Sequence, residues 1–249
     1  MSDSTMEIDP DEIDGAATDW EAIYWDIGGV ILDVATVKRG HRRFLERLVG
    51  EYDLECTVEE ARETWGETIG GHFRDREGSE FRSAQVAYSK AVTEIVGREL
   101  PREEWQELFR DSTDGTIVTN PGARAAISTL AETDLHVGVI SDADREEALH
   151  ILEHFGVKHH FDSFTISEDV GRTKPDPAMF ETALEAAAVE PERALMIGDR
   201  YEHDMEGAKR LGMGTIAHGA AAGDAVDYRI DVGTEDLTAV LEIVAGRRE

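Results

Sequence analysis

The pattern that most restricts the fold is a regular alternation of short apolar runs with amphipathic segments after Pro121. The runs "LHVGVIS", "FDSFTIS" and "ALMIGD" resemble buried strands, and the intervening segments "DREEALHILEHFG" and "PAMFETALEAAA" have helical spacing of apolar residues. Strands joined through helices run parallel, because each connection is a right-handed crossover. Helices then cover both faces of the sheet. The sequence therefore predicts an α/β fold with a doubly wound, Rossmann-like parallel sheet.

An earlier run, "AIYWD", has the same strand character, but the sequence that follows it is helical up to residue 117. Four segments there space their apolar residues by three or four positions: "RGHRRFLERLVGEYD", "TVEEARETWGETIGG", "SEFRSAQVAYSKAVTEIVG" and "REEWQELFRDST". Thr57 can cap the second helix, and Pro101 falls in the first turn of the fourth. We therefore predict an α/β core built from residues 20–33 and 118–249, with an inserted all-helical domain at residues 34–117.

The first 19 residues are acidic and lack the cationic and apolar segments of a signal peptide. Their composition predicts a disordered tail. The chain has a single cysteine, Cys56, so no internal disulfide can form and a reducing compartment is favoured. No apolar stretch approaches the roughly 20 residues that a membrane-spanning helix needs. We therefore predict a cytoplasmic protein that does not cross a membrane.

The charge balance is the dominant property of the composition. The formal net charge is -29, from 25 Lys and Arg residues against 54 Asp and Glu residues. The acids are scattered along the chain, which predicts an acidic surface throughout rather than one acidic arm. Such a surface repels nucleic acid and anionic membranes, so we expect neither as a partner. It also repels itself at low salt, which favours a halophilic host over an ordinary cell.

Four polar side chains that could bind a ligand or take part in catalysis lie at or after the ends of successive predicted strands. Asp26 ends the first strand, Ser141 the second and Asp199 the fourth, while Lys174 follows the third. Each of them alone has a structural explanation, as a cap of a turn or helix or as a surface cation. In open parallel sheets, however, ligands bind beyond the carboxyl ends of the strands. The four together therefore predict a site at one edge of the sheet.

The segments that carry these residues are "DIGGVILD", "VISD", "GRTKPDPAMF" and "MIGDRYEHD". In this order they resemble the four motifs of the haloacid dehalogenase-like hydrolase superfamily, in the branch whose helical cap is inserted after the first strand. The resemblance extends from Trp20 onward and implies that the helical insert is that cap. It also implies a substrate site at the sheet edge where the four motifs meet, and a small phosphorylated metabolite as the substrate.

The resemblance assigns a role to each residue of the phosphoryl site. Asp26 would attack phosphorus and form an aspartyl-phosphate, which divides one difficult step into two easier ones. Lys174 would offset negative charge on the phosphoryl group. Ser141 and the backbone N–H groups around it, including that of Asp142, would bind phosphoryl oxygens. Gly29 fits the small residue that lets the backbone turn beneath the substrate.

The same resemblance implies a magnesium site. A carboxylate that attacks a phosphate dianion meets like-charge repulsion, and Mg²⁺ prefers oxygen ligands of the kind found here. Asp26 and Asp199 are the expected side-chain ligands, and Asp204 would support them directly or through water. The fourth ligand would be the backbone carbonyl of Gly28.

Gly28 is also where the sequence departs from the common phosphatase pattern, because the family usually has an Asp there that acts as general acid and base. General acid–base catalysis is worth about 10²–10⁴ in rate. His41, His72 and Arg74 in the insert are conceivable replacements, although a surface role is the simpler explanation for each. If Gly28 had a positive φ, no side chain could be restored there without strain.

The missing acid leaves three functions open. The first and favoured one is Mg²⁺-dependent hydrolysis of a small phosphate monoester. The second is a metal-independent 2-haloacid dehalogenase, since halide departs without a proton, although "GDRYEHD" keeps acids that this reaction does not need. The third is a non-catalytic protein that binds a phosphorylated ligand. Arg74, Arg76 and Arg82, beside glycines in "GGHFRDREGSEFRS", are candidates for closing over an anionic substrate, but a solvated helix pair is the preferred explanation for each of them.

We predict that the thermal stability of the protein rises steeply between low salt and molar KCl. The reason is that the Debye length shortens from about 30 Å at 0.01 M to about 3 Å at 1 M salt, which screens repulsion among the acidic side chains. Melting temperatures from circular dichroism in a KCl series provide the measurement, with sucrose as a non-ionic control. A melting temperature that stays flat or falls with KCl contradicts the inference of a halophilic host.

Overall fold

The core of the computed structural model is a six-stranded sheet with the strand order β3-β2-β1-β4-β5-β6. Every neighbouring pair is parallel, which confirms the predicted α/β fold class. The structure describes residues 8–16, 18–219 and 222–248. The strands are β1 (Ala22–Trp25), β2 (His136–Ser141), β3 (Ser163–Ile166), β4 (Ala194–Gly198), β5 (Gly214–His218) and β6 (Tyr228–Ile230).

Helices cover both faces of this sheet, so the central strands have no solvent-exposed side. In β1, Ile23 and Trp25 belong to one apolar cluster, while Ala22 and Tyr24 belong to another. This division follows from the alternation of side chains along a strand. All four side chains are buried, as expected for a parallel strand with both faces covered. The helices outside the insert are α1 (Pro10–Asp14), α6 (Ala123–Leu130), α7 (Arg145–His154), α8 (Ser167–Val170), α9 (Pro177–Ala187), α10 (Glu206–Leu211) and α11 (Ala239–Val244).

Four helices lie between β1 and the rest of the core: α2 (Val34–Glu51), α3 (Val58–Arg74), α4 (Ala84–Val96) and α5 (Arg102–Asp114). Their apolar faces form a cluster of their own, rich in aromatic side chains. Thr57 caps α3 in a reciprocal capping box with Glu60, as its sequence suggests. Pro101 lies at the N-cap of α5, one position before the first turn.

The N-terminal segment differs from the expected disordered tail over residues 1–19. Residues Pro10–Asp14 form α1, and the Asp9 side chain accepts a hydrogen bond from the Asp11 N–H at its start. The physical reason is burial, because Ile8 and Ile13 pack into the main apolar cluster of the core. Residues 1–7 and 17 lie outside the described part of the chain.

The helical insert contacts the core through the segment between α3 and α4. The N–H of Phe81 donates to Gly171 O, and the N–H of Thr173 donates to Ser79 O at 2.8 Å. At the start of α4, the core carboxylate of Asp144 accepts the Ala84 N–H at 2.8 Å and also pairs with Ser83 Oγ. These contacts join the insert to the loops that follow β2 and β3.

The sheet order brings three strand ends together. In the register, Trp25 of β1 lies between Val139 of β2 and Ile197 of β4. Asp26, which follows β1, is therefore flanked by the ends of β2 and β4. The chain runs from β1 toward β3 on one side and toward β6 on the other, so this is the point where strand order reverses and ligands bind in such sheets. None of the helices in the described ranges is long and apolar enough to cross a membrane.

Candidate active site

Asp26 lies at the centre of the site, directly after β1, and is only 3% exposed. Three donors converge on its Oδ1 atom: the Ile27 N–H at 2.8 Å, Ser141 Oγ at 2.9 Å and Lys174 Nζ at 3.1 Å. For Oδ2, the hydrogen bonds among the described residues include no donor. One carboxylate oxygen is thus held in place, and the other remains available for chemistry.

Lys174 is fully buried, and its ammonium joins the two sides of the site. Nζ lies 3.1 Å from Asp26 Oδ1 and 2.8 Å from Asp204 Oδ1, and it donates to Ile140 O at 3.0 Å. Burial acts to lower the pKa of Lys174, but the charges of Asp204 and Asp26 outweigh it and raise the pKa above its ordinary value. The ammonium therefore stays charged at neutral pH.

Three carboxylates form a compact acidic group in which one oxygen of each lies within 4.8 Å of the others: Asp26, Asp199 and Asp204. Burial raises the pKa of Asp199 to about 6, and the charges of Asp26 and Asp204 add to that effect. Burial likewise raises the pKa of Asp26, against the charge of Lys174. A divalent cation among the three would favour their ionised forms, because opposite charge lowers the pKa of a carboxyl.

Two further observations fit a cation at this place. Asp199 Oδ1 is buried and has no hydrogen-bond partner among the described residues, which is costly for a carboxylate unless a ligand satisfies it. The hydrogen bonds of the described chain also include no donor to the Gly28 carbonyl. Carboxylate and carbonyl oxygens are the ligands that Mg²⁺ prefers in proteins, so these residues fit that ion.

Asp204 is fully buried and organises the loop after β4. Its Oδ2 accepts the N–H groups of Asp199 at 3.1 Å and Arg200 at 2.9 Å. The side chain lies against Gly198, where an added Cβ would come within 2.3 Å of Asp204 Cβ. The π-helical turn Tyr201–Met205 carries Asp204 back under the strand end, and such turns are frequent at functional sites.

The two glycines after Asp26 have different structural roles. Gly29 has φ +79°, and a Cβ there would lie 2.0 Å from Asp199 Oδ2, so both the backbone and the neighbouring carboxylate require glycine. Gly28 does not have a positive φ, and a Cβ there would find only Val34 Cγ1, at 4.0 Å. The positive φ considered for Gly28 from the sequence therefore occurs at Gly29, and it is there that a side chain would be strained. Space for a side chain exists at the position of the missing acid.

Two residues that the sequence interpretation missed hold this glycine turn. Asn120 Nδ2 donates to the carbonyl oxygens of Gly29 at 3.0 Å and Val30 at 2.8 Å. His218, at the end of β5, places Nδ1 at 2.8 Å from Gly29 O. Because Gly29 O is an acceptor, this ring nitrogen carries the proton. The available signal for His218 was its position at the end of a predicted strand, "GTIAH".

Asp142 was expected to contribute its backbone N–H. In the structure its side chain also accepts hydrogen bonds from two other parts of the site. Oδ1 accepts the Lys174 N–H at 2.8 Å, and Oδ2 lies 2.8 Å from Arg200 Nη2. Burial acts to raise the pKa of Asp142, but the neighbouring His203 ring and the charges of Lys174 and Arg200 lower it to about 2. Sequence reasoning missed Arg200, although it directly follows Asp199 in "GDRYEHD".

The candidate helpers in the insert lie in different surroundings. His41 lies within an aromatic cluster of the insert, where burial lowers its pKa to about 4, so it is neutral at pH 7. Arg74 folds back along its own helix, with Nη1 close to Gly70. Arg76 donates to Thr173 Oγ1 at 3.1 Å. His72 is the third candidate helper. Its backbone carbonyl accepts a hydrogen bond from the Arg82 guanidinium at 3.0 Å.

The family of the chain follows from comparison with known proteins. The family model described as haloacid dehalogenase-like hydrolase matches residues 23–218. The chain belongs to this family. That membership confirms the family resemblance of the sequence.

Two curated relatives and one solved structure illustrate the relationship. The chain is 36% identical over 134 residues to haloacid dehalogenase-like hydrolase domain-containing protein 3 of Bos taurus, a match that covers 53% of this chain and 49% of that protein, so the chain spans about half of it. It is 24% identical over 225 residues to glyceraldehyde 3-phosphate phosphatase of Methanothermobacter thermautotrophicus, with 90% and 96% covered. A HAD phosphatase from Thermococcus onnurineus superposes with a TM-score of 0.68 at 22% identity, with 92% and 99% covered.

We predict that Gly29→Ala destabilises the protein and Gly28→Ala does not. A non-glycine residue in the left-handed region costs about 1–2 kcal/mol, and overlap with Asp199 adds to this cost. Gly28→Ala meets open space and is the matched control. Urea unfolding of both variants measures the difference, and equal midpoints would contradict the assigned roles of the two glycines.

Proposed function

We propose that the protein hydrolyses a small phosphate monoester with Mg²⁺, through an aspartyl-phosphate on Asp26. The observation that carries this proposal is the asymmetric binding of the Asp26 carboxylate. Ile27, Ser141 and Lys174 hold Oδ1, while Oδ2 has no donor among the described residues. A fixed carboxylate with one available oxygen at a strand end is suited to nucleophilic attack.

The proposed reaction has two balanced steps. Asp26 Oδ2 forms a bond to phosphorus as the ester P–O bond breaks, and the departing oxygen takes a proton from solvent. A water then attacks phosphorus, the bond between phosphorus and Asp26 Oδ2 breaks, and the attacking water loses a proton to solvent, which releases inorganic phosphate and restores the Asp26 carboxylate. Lys174 and Ser141 donate to Asp26 Oδ1, so they orient the nucleophile, and the Lys174 charge offsets negative charge at the phosphoryl group.

Asp26, Asp199 and Asp204, together with the Gly28 carbonyl, are the residues that would hold Mg²⁺. The acidic group and the unpartnered Asp199 Oδ1 support this assignment. The ion would supply positive charge between the carboxylates and the phosphate dianion, which otherwise repel each other. The chain itself contributes the rigid placement of the acids, since Asp204 binds the N–H groups of the loop that carries Asp199.

The relatives favour a phosphatase over a dehalogenase. The relative from Methanothermobacter thermautotrophicus, named a glyceraldehyde 3-phosphate phosphatase, aligns with nearly the whole chain. A second one, named phosphoserine phosphatase, is from Thermus thermophilus. The acidic group also counts against a metal-independent dehalogenase, which has no use for three clustered carboxylates. Gly28 is the one feature that favours the dehalogenase, because halide leaves without a proton.

We expect Asp26→Asn to lower phosphatase turnover by more than about 10⁴-fold, because removal of a nucleophile leaves only binding and electrostatic contributions. Asp224→Asn, an exposed substitution with the same change of charge, is the control. Turnover of p-nitrophenyl phosphate and of 2-haloacids is measured with Mg²⁺ and with chelator. Substantial phosphatase activity in Asp26→Asn removes it as the nucleophile. Metal-independent release of halide by the wild type, without phosphatase activity, establishes the dehalogenase.

The open space at Gly28 leads to a second expectation. Without a protein acid, kcat/KM should depend steeply on the pKa of the leaving group, so aryl phosphates should exceed alkyl phosphates. Gly28→Asp restores a carboxylic acid where a Cβ meets no obstacle, and it should flatten that dependence by raising alkyl rates up to about 10²-fold. Gly28→Asn has nearly the same size but is not an acid, and serves as control. Equally shallow slopes in wild type and Gly28→Asp would reveal another proton donor.

A further inference from the structure

The ion pair between Arg200 and Asp142 crosses the end of β1. Asp142 follows the last residue of β2, Ser141, while Arg200 lies two positions beyond the last residue of β4, Gly198. The sheet places β1 between these two strands. A contact of 2.8 Å between Arg200 Nη2 and Asp142 Oδ2 therefore spans the strand end that carries Asp26.

The guanidinium of Arg200 has hydrogen-bonding capacity to spare. An arginine side chain offers five N–H donors in a planar fork. The hydrogen bonds of the described chain use one of them, in the bond to Asp142. The side chain is 41% exposed, so the guanidinium is not enclosed by protein. Arg200 can therefore bind a further anion without losing its existing partner.

Asp142 is built to hold this guanidinium in place. Its other oxygen accepts the backbone N–H of Lys174 at 2.8 Å, so the carboxylate is fixed to the loop that supplies the buried ammonium. Both of its oxygens are occupied by protein donors, and a negative carboxylate would repel a phosphoryl group directly. The side chain of Asp142 thus contributes to the site through Arg200 and the Lys174 loop.

We propose that Arg200 is a second cationic residue for the phosphoryl group, which it binds through its free N–H donors, and that Asp142 positions it. This proposal rests on the proposed function and extends it. A phosphate monoester dianion has terminal oxygens that match the guanidinium fork, and such bidentate contacts are stronger than neutral hydrogen bonds. Lys174 is already committed to two carboxylates and a carbonyl. Arg200 supplies the donors that the buried ammonium has used elsewhere.

The test compares Arg200→Gln and Arg200→Lys with Arg210→Gln. Arg210 pairs with Glu206 on an exposed helix surface, so its substitution removes the same charge outside the site. Two probes are measured with Mg²⁺ present: binding of inorganic phosphate by calorimetry, and kcat/KM for p-nitrophenyl phosphate. We expect Arg200→Gln to lower kcat/KM about 10²-fold, the loss typical for one donor to a developing charge. Phosphate affinity should fall as well.

Arg200→Lys should recover part of both losses, because it keeps the charge but not the planar fork. Asp142→Asn tests the positioning role, since the amide keeps an acceptor for the Lys174 N–H but loses the charge that holds Arg200. If Asp142 acts through Arg200, the double variant Asp142→Asn/Arg200→Gln should lose little more than Arg200→Gln alone. Full additivity of the two losses overturns the positioning role.

Three results separate this proposal from the proposed function. A wild type that hydrolyses phosphate esters, with Arg200→Gln indistinguishable from Arg210→Gln in both probes, overturns the role of Arg200 and leaves the phosphatase intact. A loss of kcat/KM only for a phosphate ester that has a second anionic group, measured as an additional substrate, with p-nitrophenyl phosphate turnover and phosphate affinity unchanged, also overturns it. A wild type that neither binds phosphate nor hydrolyses any ester refutes the proposed function itself.

Discussion

The buried ammonium of Lys174 is the interaction on which the site depends. A charge that is removed from water is tolerated only when partners compensate it, and breaking such a pair typically costs about 3–5 kcal/mol. Here Lys174 Nζ contacts Asp26 and Asp204 and donates to Ile140 O. The same contacts fix the strand end that carries Asp26 and the loop after β4. One cation thus allows two acids to lie side by side inside the protein.

The negative side chains of the candidate active site outnumber the positive ones. Four carboxylates face two cations there: Asp26, Asp142, Asp199 and Asp204 against Lys174 and Arg200. When all are ionised, the sum is two negative charges. A divalent cation would neutralise that sum, and the approach of a phosphate dianion would otherwise meet repulsion. Burial raises the pKa of Asp199 to about 6, and the excess of carboxylates around it adds to that rise.

The helical insert is attached to the same loops that carry the site. Asp144 binds the N-terminus of α4 two residues after Asp142, and the Ser79 carbonyl accepts the N–H of Thr173, one residue before Lys174. The arginines considered as candidates for closing over an anion contact this attachment or the insert itself, as Arg76 illustrates through its bond to Thr173. We therefore expect substrate contacts mainly at the strand ends.

The sheet and the polar residues at its edge could be predicted from the amino-acid sequence. Periodic apolar runs report local structure, and the carboxyl ends of parallel strands share one edge, so Asp26, Ser141 and Asp199 could be placed together without coordinates. Contacts between side chains that are distant in sequence could be found only in the folded structure. His218 reaches Gly29 across 189 positions and Arg200 reaches Asp142 across 58, and no local pattern encodes either distance. Ile8 and Ile13 belong to this second group. A short acidic segment has the composition of a disordered tail, and only the apolar surface that it meets in the folded core makes it ordered.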